Sequence, residues 1–451
     1  MSSNSQEPVP SPPIFTFFMI VALLAVWGLV WDVIHTADGG SIDFRNRITG
    51  VRVASEHRDP YFFKWNRTES ERLCDPFTFP ASPVNHTTVT PVTLSLFYPL
   101  KDLPYNVSRW IWFGVQYAAL GLGFWAWARG SDRKNWLWGG LLTCLFCLSP
   151  HWRLHIDRGQ SYVVYAGLFL ALAAVARGLK GGVEKTSPGE AGNGGRSWAE
   201  GILASMLAVL RPTYAVLLGW GVARKNRSVI VASVVGLAVW AVLPTLLAGQ
   251  AIWSNYFKAM GVHAQLYLTQ TRFPAARFSA SETIEKIPVD TFLRFPRIPF
   301  SDTSIYRLLS FNVPGSPQVW LAVWACGAAV SGFLFMRRKQ VGGPRFWWAV
   351  SAWILVGDFI LPAYRYSYNN VLLWPVLLLG LNALPEAGAG RGRKLWLTVS
   401  AGLLGMQVAT WFLPNSFISW PGVGALVLGL GVVVGTFLPG RKVGVGIGVG
   451  G

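Results

Sequence analysis

Ten apolar runs recur along this chain, at residues 13–34, 109–128, 136–150, 160–176, 228–248, 319–336, 346–362, 369–384, 395–413 and 421–438. A helix needs about 20 apolar residues to cross the hydrocarbon core of a bilayer, and most of these runs approach that length. Inside the core no water is present to satisfy backbone polar groups, so each run must satisfy its own as a helix. The shorter runs imply tilt or burial among neighbours. Charged residues are 13% of the 451, about half of the ~25% usual in a soluble domain, and mean hydropathy is +0.38. That deficit extends over the whole length and excludes a soluble protein with a single anchor. The expectation is an all-α polytopic membrane protein, one multi-span helical bundle over residues 1–451. No AxA-like cleavage site follows the first run, so 13–34 is expected to remain as a helix.

The net charge of +18 raises nucleic acid as a partner, but no basic run interleaved with surface aromatics accompanies it. Instead the Lys and Arg residues gather in one alternating set of connections: 129–134, 177–196, 224–227, 337–345, 390–394 and 440–442. The positive-inside rule assigns that set to the cytoplasm. The opposite set, 35–108, 151–159, 249–318, 363–368 and 414–420, then lies outside, and it holds the two long loops, 35–108 and 249–318. This alternation closes if "EGILASMLAVLRPTYAVLLGWGV" enters and leaves on the cytoplasmic side, as a hairpin with Arg211-Pro212 at its tip; a miscounted span is the alternative. Residues 177–200 read as a Gly-rich cytoplasmic linker. The expected location is a multi-pass bacterial inner or plasma membrane protein with its working loops external.

The residues able to carry chemistry concentrate on that external side. The first loop contains Asp38, Asp43, Arg45, Arg47, Arg52, His57, Asp59, Tyr61, Lys64, Asp75 and His86. A carboxylate at a helix mouth suits a general base, and adjacent arginines favour its charged form. On charge pattern alone the simpler reading of Asp43 is a surface pair with Arg45 or Arg47, or a helix cap. Arg211 inside an apolar run is harder to explain without function, because intramembrane charge is costly and usually lines a cavity. A guanidinium there suits a lipid phosphate. "SPHWRLHIDRGQ" adds His151, Arg153, His155, Asp157, Arg158 and Gln160, and "PAYRYSYNN" adds Arg365, Tyr366, Tyr368, Asn369 and Asn370. The His spacing is not a zinc signature, and Cys144 and Cys147 sit in an apolar run and read as packing. No metal and no cofactor is expected.

Several segments, taken in order, resemble glycosyltransferase family 87. "SIDFRNRITGVRVASEHRDPYFF" is similar to its first-loop motif, an Asp, an aromatic, a short helix and a closing D/N-P-Y. "VTPVTLSLFYPLKDLPYNVSRWIWFGVQ" resembles its Pro-containing segment, and "RGQSYVVYAGLFLALAAVARG" its Gly-Gln helix start. The Arg211 segment resembles its Lys-Pro segment with Arg in place of Lys, and "DFILPAYRYSYNNVLLWPVLLL" falls where members often have Pro and then His-Tyr. Here that His is absent, with Tyr368 and Asn369 nearest, so no role for it is carried over. Residues 262–318 carry none of these motifs.

The resemblance implies a GT-C fold that moves a hexose or pentose, with mannose favoured, from a polyprenyl-phosphate donor to a lipid or glycan acceptor with inversion. Asp43 then maps onto the catalytic carboxylate, with Asp38 and Asp59 as its rivals. Arg211, Arg158 and Arg365 are expected to bind donor phosphate, and Asp59, Tyr61, Gln160, Tyr368 and Asn369 substrate. A carrier or flippase for lipid-linked sugars, or a non-catalytic scaffold, is the alternative.

Overall fold

Every apolar run folds as a helix in the computed structural model. It describes residues 12–38, 41–63, 65, 68–74, 87–178, 193–269, 302–309, 312, 316–363, 365–384, 390–413, 417 and 419–437. The first half contains α1 (Pro12–Asp38), α2 (Ile42–Ser55), α3 (Pro91–Phe97), α4 (Tyr105–Arg129), α5 (Arg133–Leu148), α6 (Pro150–Arg158), α7 (Tyr162–Arg177) and α8 (Asn193–Leu210). It continues with α9 (Gly219–Ala223), α10 (Arg227–Ala248), α11 (Ile252–Leu268), α12 (Ile305–Leu308), α13 (Pro317–Arg337), α14 (Pro344–Ile360), α15 (Leu373–Ala383), α16 (Gly390–Ala409) and α17 (Trp420–Phe437). Among the described residues the extended pairing is one isolated antiparallel bridge, Asp302 to Tyr366. Asp75, His86, Lys64 and all of 270–301 lie outside those residues, as does the side chain of Asp38.

Among the described residues three single helices are long and apolar enough to cross a membrane: Thr16–Ala37, Arg227–Ala248 and Pro317–Arg337. Only 17%, 28% and 11% of their apolar windows are buried against protein, so these helices stand at the rim of the bundle. The run at 369–384 behaves differently. It starts as a 3-10 turn over Ser367–Leu372 and continues as α15, in which nearly every residue is buried. Eleven helical residues rise only about 16 Å, so α15 is a core helix enclosed by others. α4 and α7 touch backbone to backbone beside it: a Cβ built on Gly123 would meet Gly167 Cα at 2.7 Å. Small residues permit that approach, which van der Waals packing favours in a membrane bundle.

Among the described residues, five of the connections grouped by their positive charge meet at one end of the bundle. Arg196 donates to the carbonyls of Val175 (2.6 Å) and Ala176 (2.7 Å) at the C-terminus of α7, where a cation suits the helix dipole. Asn382 donates to Ser131 (2.8 Å), Arg393 pairs with Asn135, and Arg345 reaches the Ala383 carbonyl (3.5 Å). At the same end Arg224 bonds Glu200 (2.8 Å) and Asn226 bonds Ser197 (3.2 Å). Residues 224–226 have therefore returned to the level of 197–200. The 193–226 segment is a hairpin, α8 down and a 3-10 turn plus α9 back, with Arg211 at its far tip.

The opposite end holds α2 and α3. Phe44, Ile48 and Val51 of α2 pack with Phe97, Tyr105 and Trp112, and Phe44 stacks on Trp112 at 6.0 Å and 2°. Arg52 bonds the carbonyls of Lys101 (2.9 Å) and Leu103 (3.2 Å). α3 opens with a Thr90 side-chain cap on Thr93 N (3.3 Å) and Pro91 in its first turn. All of α3 except Leu96 is buried, packed between α2, α8 and α10. In the loop beyond α2, two hydrogen bonds from Arg58 (2.6 and 2.7 Å) hold the Glu69 carboxyl below its ordinary range.

Candidate functional site

Two backbone residues with positive φ build the mouth of the site. α6 ends at Gly159, φ 65°, whose N–H donates to the Ile156 carbonyl (2.9 Å) while that of Gln160 donates to the His155 carbonyl (3.0 Å). These are the two bonds of a Schellman ending, and glycine suits its left-handed position. A Cβ at residue 159 would also stand 2.6 Å from Phe44 Cβ, so α2 fits only against a glycine. The chain bends by 106° between α6 and α7 at this turn. His155 Nε2 accepts from Val163 N (3.2 Å) and so caps α7. Facing the glycine, Ser41 holds φ 41° and ψ 56° at the start of α2.

Asp43 occupies the first turn of α2, where the helix N-terminus favours negative charge. Its partner comes from α6 rather than from its sequence neighbours. Arg158 Nε donates to Oδ2 (2.5 Å) and Nη2 to Oδ1 (2.9 Å), a fork-on-carboxylate geometry. Gln160 Nε2 donates to Oδ2 (2.5 Å). Behind them Arg47 holds the turn, with Nη2 on Gln160 Oε1 (2.6 Å) and Nη1 on the Gly159 carbonyl (2.5 Å), which Trp112 also bonds (2.9 Å). Arg47 is thus a strut rather than the surface partner of Asp43. The side chains of Asp43 and Arg158 keep 19% and 17% of their surface. Oδ2 carries two bonds and Oδ1 one; a carboxylate oxygen takes about two, so Oδ1 has room for another donor.

A second ionic group centres on a fully enclosed carboxylate. Asp358, on α14, pairs with Arg211 and with Arg365 Nε (3.0 Å), and its own side chain is 0% exposed. Asn369 Nδ2 donates to its Oδ2 (3.1 Å). Arg365 also bonds Thr303 Oγ1 (2.7 Å) and Asn370 Oδ1 (2.9 Å). Two guanidiniums share one carboxylate here. Asp302 stands close by, but it accepts from the Arg365 backbone N–H (3.1 Å) and the Tyr267 hydroxyl (2.6 Å). Arg211 keeps 15% of its side-chain surface and Arg365 1%.

Tyrosines join the two groups. Arg211 lies over the Tyr162 ring at 4.5 Å, Tyr162 stacks on Tyr368 at 5.8 Å and 27°, and Arg158 lies over Tyr368 at 5.7 Å and Tyr366 at 5.9 Å. The expected site residues therefore divide three ways. Asp43, Arg158, Gln160 and Tyr368 meet at the mouth, and Arg211, Arg365 and Asn369 meet in the enclosed group. Asp59 and Tyr61 serve the loop: Asp59 Oδ1 accepts from Tyr61 N (2.9 Å), and the Tyr61 hydroxyl bonds the Val89 carbonyl (3.1 Å) beside Tyr256.

Asp358 and a third buried carboxylate escaped sequence reasoning. Asp32 of α1 pairs with Arg153 and accepts from Tyr117 (2.5 Å) and Trp152 (3.1 Å). Both lie in apolar runs, "LVWDVI" and "WILVGDFI", where a charge is costly unless paired. That signal, applied at Arg211, applies to them equally. Among the described residues no three His, Cys, Asp or Glu side chains gather as a metal site.

With the geometry in place, comparison with known proteins adds one match. A model of glycosyltransferase family 87 matches residues 88–294, so that part of the chain is similar to the family. No curated protein and no solved structure matches it. The matched span takes in Arg158, Gln160, Tyr162 and Arg211 and continues past residue 262, where the separate motifs end. Asp43, Asp358 and Arg365 lie outside the span, and their relation to it comes from the bonds described above.

Proposed function

We propose that this protein transfers a sugar, mannose favoured, from a polyprenyl-phosphate carrier to a lipid or glycan acceptor on the external face of a bacterial inner membrane, with inversion. The observation that carries the reading is Asp43. It is a half-buried carboxylate aimed by Arg158 and Gln160, with Oδ1 left room for an incoming hydroxyl. In the proposed step the acceptor hydroxyl gives its proton to Oδ1 while its oxygen attacks the anomeric carbon. The anomeric carbon–phosphate oxygen bond breaks, and the lipid phosphate departs with the electron pair. One carboxylate base suffices for inversion, and a phosphate leaving group needs positive charge more than a proton.

Arg211 supplies that charge, because it is the member of the enclosed group with free surface. Arg365 and Asn369 hold Asp358, and Asp358 holds Arg211. Arg158 adds a second contribution. Protonation of Asp43 removes its counter-charge at the moment the phosphate gains one, so the guanidinium becomes available without moving far.

Asp43→Asn tests the assignment in membranes supplied with labelled polyprenyl-phosphate mannose. Loss of a general base costs about 10²- to 10⁴-fold in transfer, with donor binding retained. Undiminished transfer by the Asn variant removes Asp43 from the mechanism. Donor moved across the membrane without transfer by the unaltered protein favours a carrier.

A further inference from the structure

Resting on the donor reading above, the geometry points to the Tyr162–Tyr368 pair as the wall of the sugar subsite, its two phenol hydroxyls hydrogen-bonding the hydroxyls of the carried sugar. The pair occupies the interval that the sugar must fill. On one side Tyr162 meets Arg211, the guanidinium assigned to phosphate. On the other, Tyr368 lies under Arg158, which grips the base Asp43. A donor sugar has its phosphate at one end of its anomeric centre and the attacking hydroxyl with its base at the other. The ring therefore lies along the two tyrosines.

The hydroxyls have the right freedom. Most buried Tyr hydroxyls find a protein partner, and Tyr61, Tyr117, Tyr267 and Tyr306 each do so here. Those of Tyr162 and Tyr368 make no hydrogen bond to another described residue, and neither is among the sealed, unsatisfied polar atoms. Tyr368 is within electrostatic reach of Asp43 and Tyr162, and Tyr162 of Arg365. The two tyrosines thus stand between the phosphate cations and the base. Tyr162 also keeps part of its surface, whereas Tyr165, one turn along α7, is buried and meets Thr93 at 3.3 Å. The ring faces already carry Arg211 and the partner tyrosine, so the sugar meets the hydroxyl edge of the pair.

Tyr→Phe substitution separates hydroxyl from ring, because the stack on Arg211 and Arg158 survives in Phe. The full-length protein is titrated with two probes, synthetic polyprenyl-phosphate mannose and the same polyprenyl phosphate without sugar. Removing one hydrogen bond to a sugar hydroxyl costs roughly tenfold in affinity. Tyr162→Phe and Tyr368→Phe should each weaken the mannosylated probe by about that factor and leave the bare phosphate within twofold. Equal weakening of both probes overturns the proposal, since the tyrosines would then merely support the arginines. So does an unchanged affinity for the mannosylated probe in both variants. Failure of the unaltered protein to bind either probe overturns the donor reading itself and this subsite with it.

Discussion

Asp43 and Asp358 are both carboxylates met by arginine, yet their surroundings differ in two respects. Asp43 retains 19% of its side-chain surface and has one guanidinium, an amide and an oxygen with spare capacity. Asp358 retains none and serves two guanidiniums and an amide. The first group is oriented and open, the second built round a closed carboxylate. A fully enclosed ion pair adds little net stability, because desolvation offsets the Coulomb attraction, but breaking one leaves an uncompensated charge. Asp358 is therefore a structural necessity whose loss is costly, and Asp43, on the proposed mechanism, a positioned group whose loss the fold should tolerate and sugar transfer should not.

Neutralising each carboxylate in turn gives the largest contrast. Asp358→Asn leaves Arg211 and Arg365 without a carboxylate and is expected to cost about 3–5 kcal/mol of stability. Asp43→Asn, in a group still open to water, should cost under about 1 kcal/mol. Thermal unfolding of both variants in one bilayer mimetic checks the difference. Equal losses would erase the distinction between an aimed base and a buried counter-ion.

A smaller effect is expected at Gly159, where the mouth group is built. Ala at φ 65° adds strain, and its methyl would press on Phe44; together these cost about 1–3 kcal/mol. Because Arg158 and Gln160 flank that residue, sugar transfer should fall by more than the stability loss explains, while the Asp358 group stays intact. Transfer assayed at a temperature where the variant remains folded separates the two. Normal transfer by a folded Gly159→Ala protein would show that the turn does not set the aim of Asp43.

The fold class was legible because hydrophobic length is a local property: each of the ten runs became a helix, and the positively charged loops that lie among the described residues meet at one end of the bundle. Pairing was less legible. Asp43 appeared beside Arg45 and Arg47 in sequence, but its guanidinium comes from residue 158, brought over by a glycine turn that only α2 explains. Arg211 was visible as a charge in an apolar run, whereas its counter-ion lies 147 residues away on another helix. Periodicity says which face is buried and not which partner waits there. Tyr162 showed least, since an aromatic at a helix start reads as packing until Arg211 and Tyr368 are found against it.

The finest comparison concerns the kind of cation at the enclosed group. The segment around Arg211 resembles one in which family members carry Lys, so Arg211→Lys asks whether charge alone is required there. Lys keeps the charge and can still meet Asp358, but it is a point donor without the planar fork. If Arg211 contributes only charge, donor KM should stay within about threefold. If it holds the phosphate by two parallel bonds while lying over Tyr162 at 4.5 Å, KM should rise about three- to tenfold with kcat little changed, a difference of roughly 1 kcal/mol. We expect the second outcome, because the extended backbone of Arg211, φ −151° and ψ 125°, sets the side chain at the hairpin tip between Asp358 and the tyrosine. Steady-state kinetics with polyprenyl-phosphate mannose decide it. An unchanged KM would leave Arg211 as the counter-ion of Asp358 and move the phosphate towards Arg158.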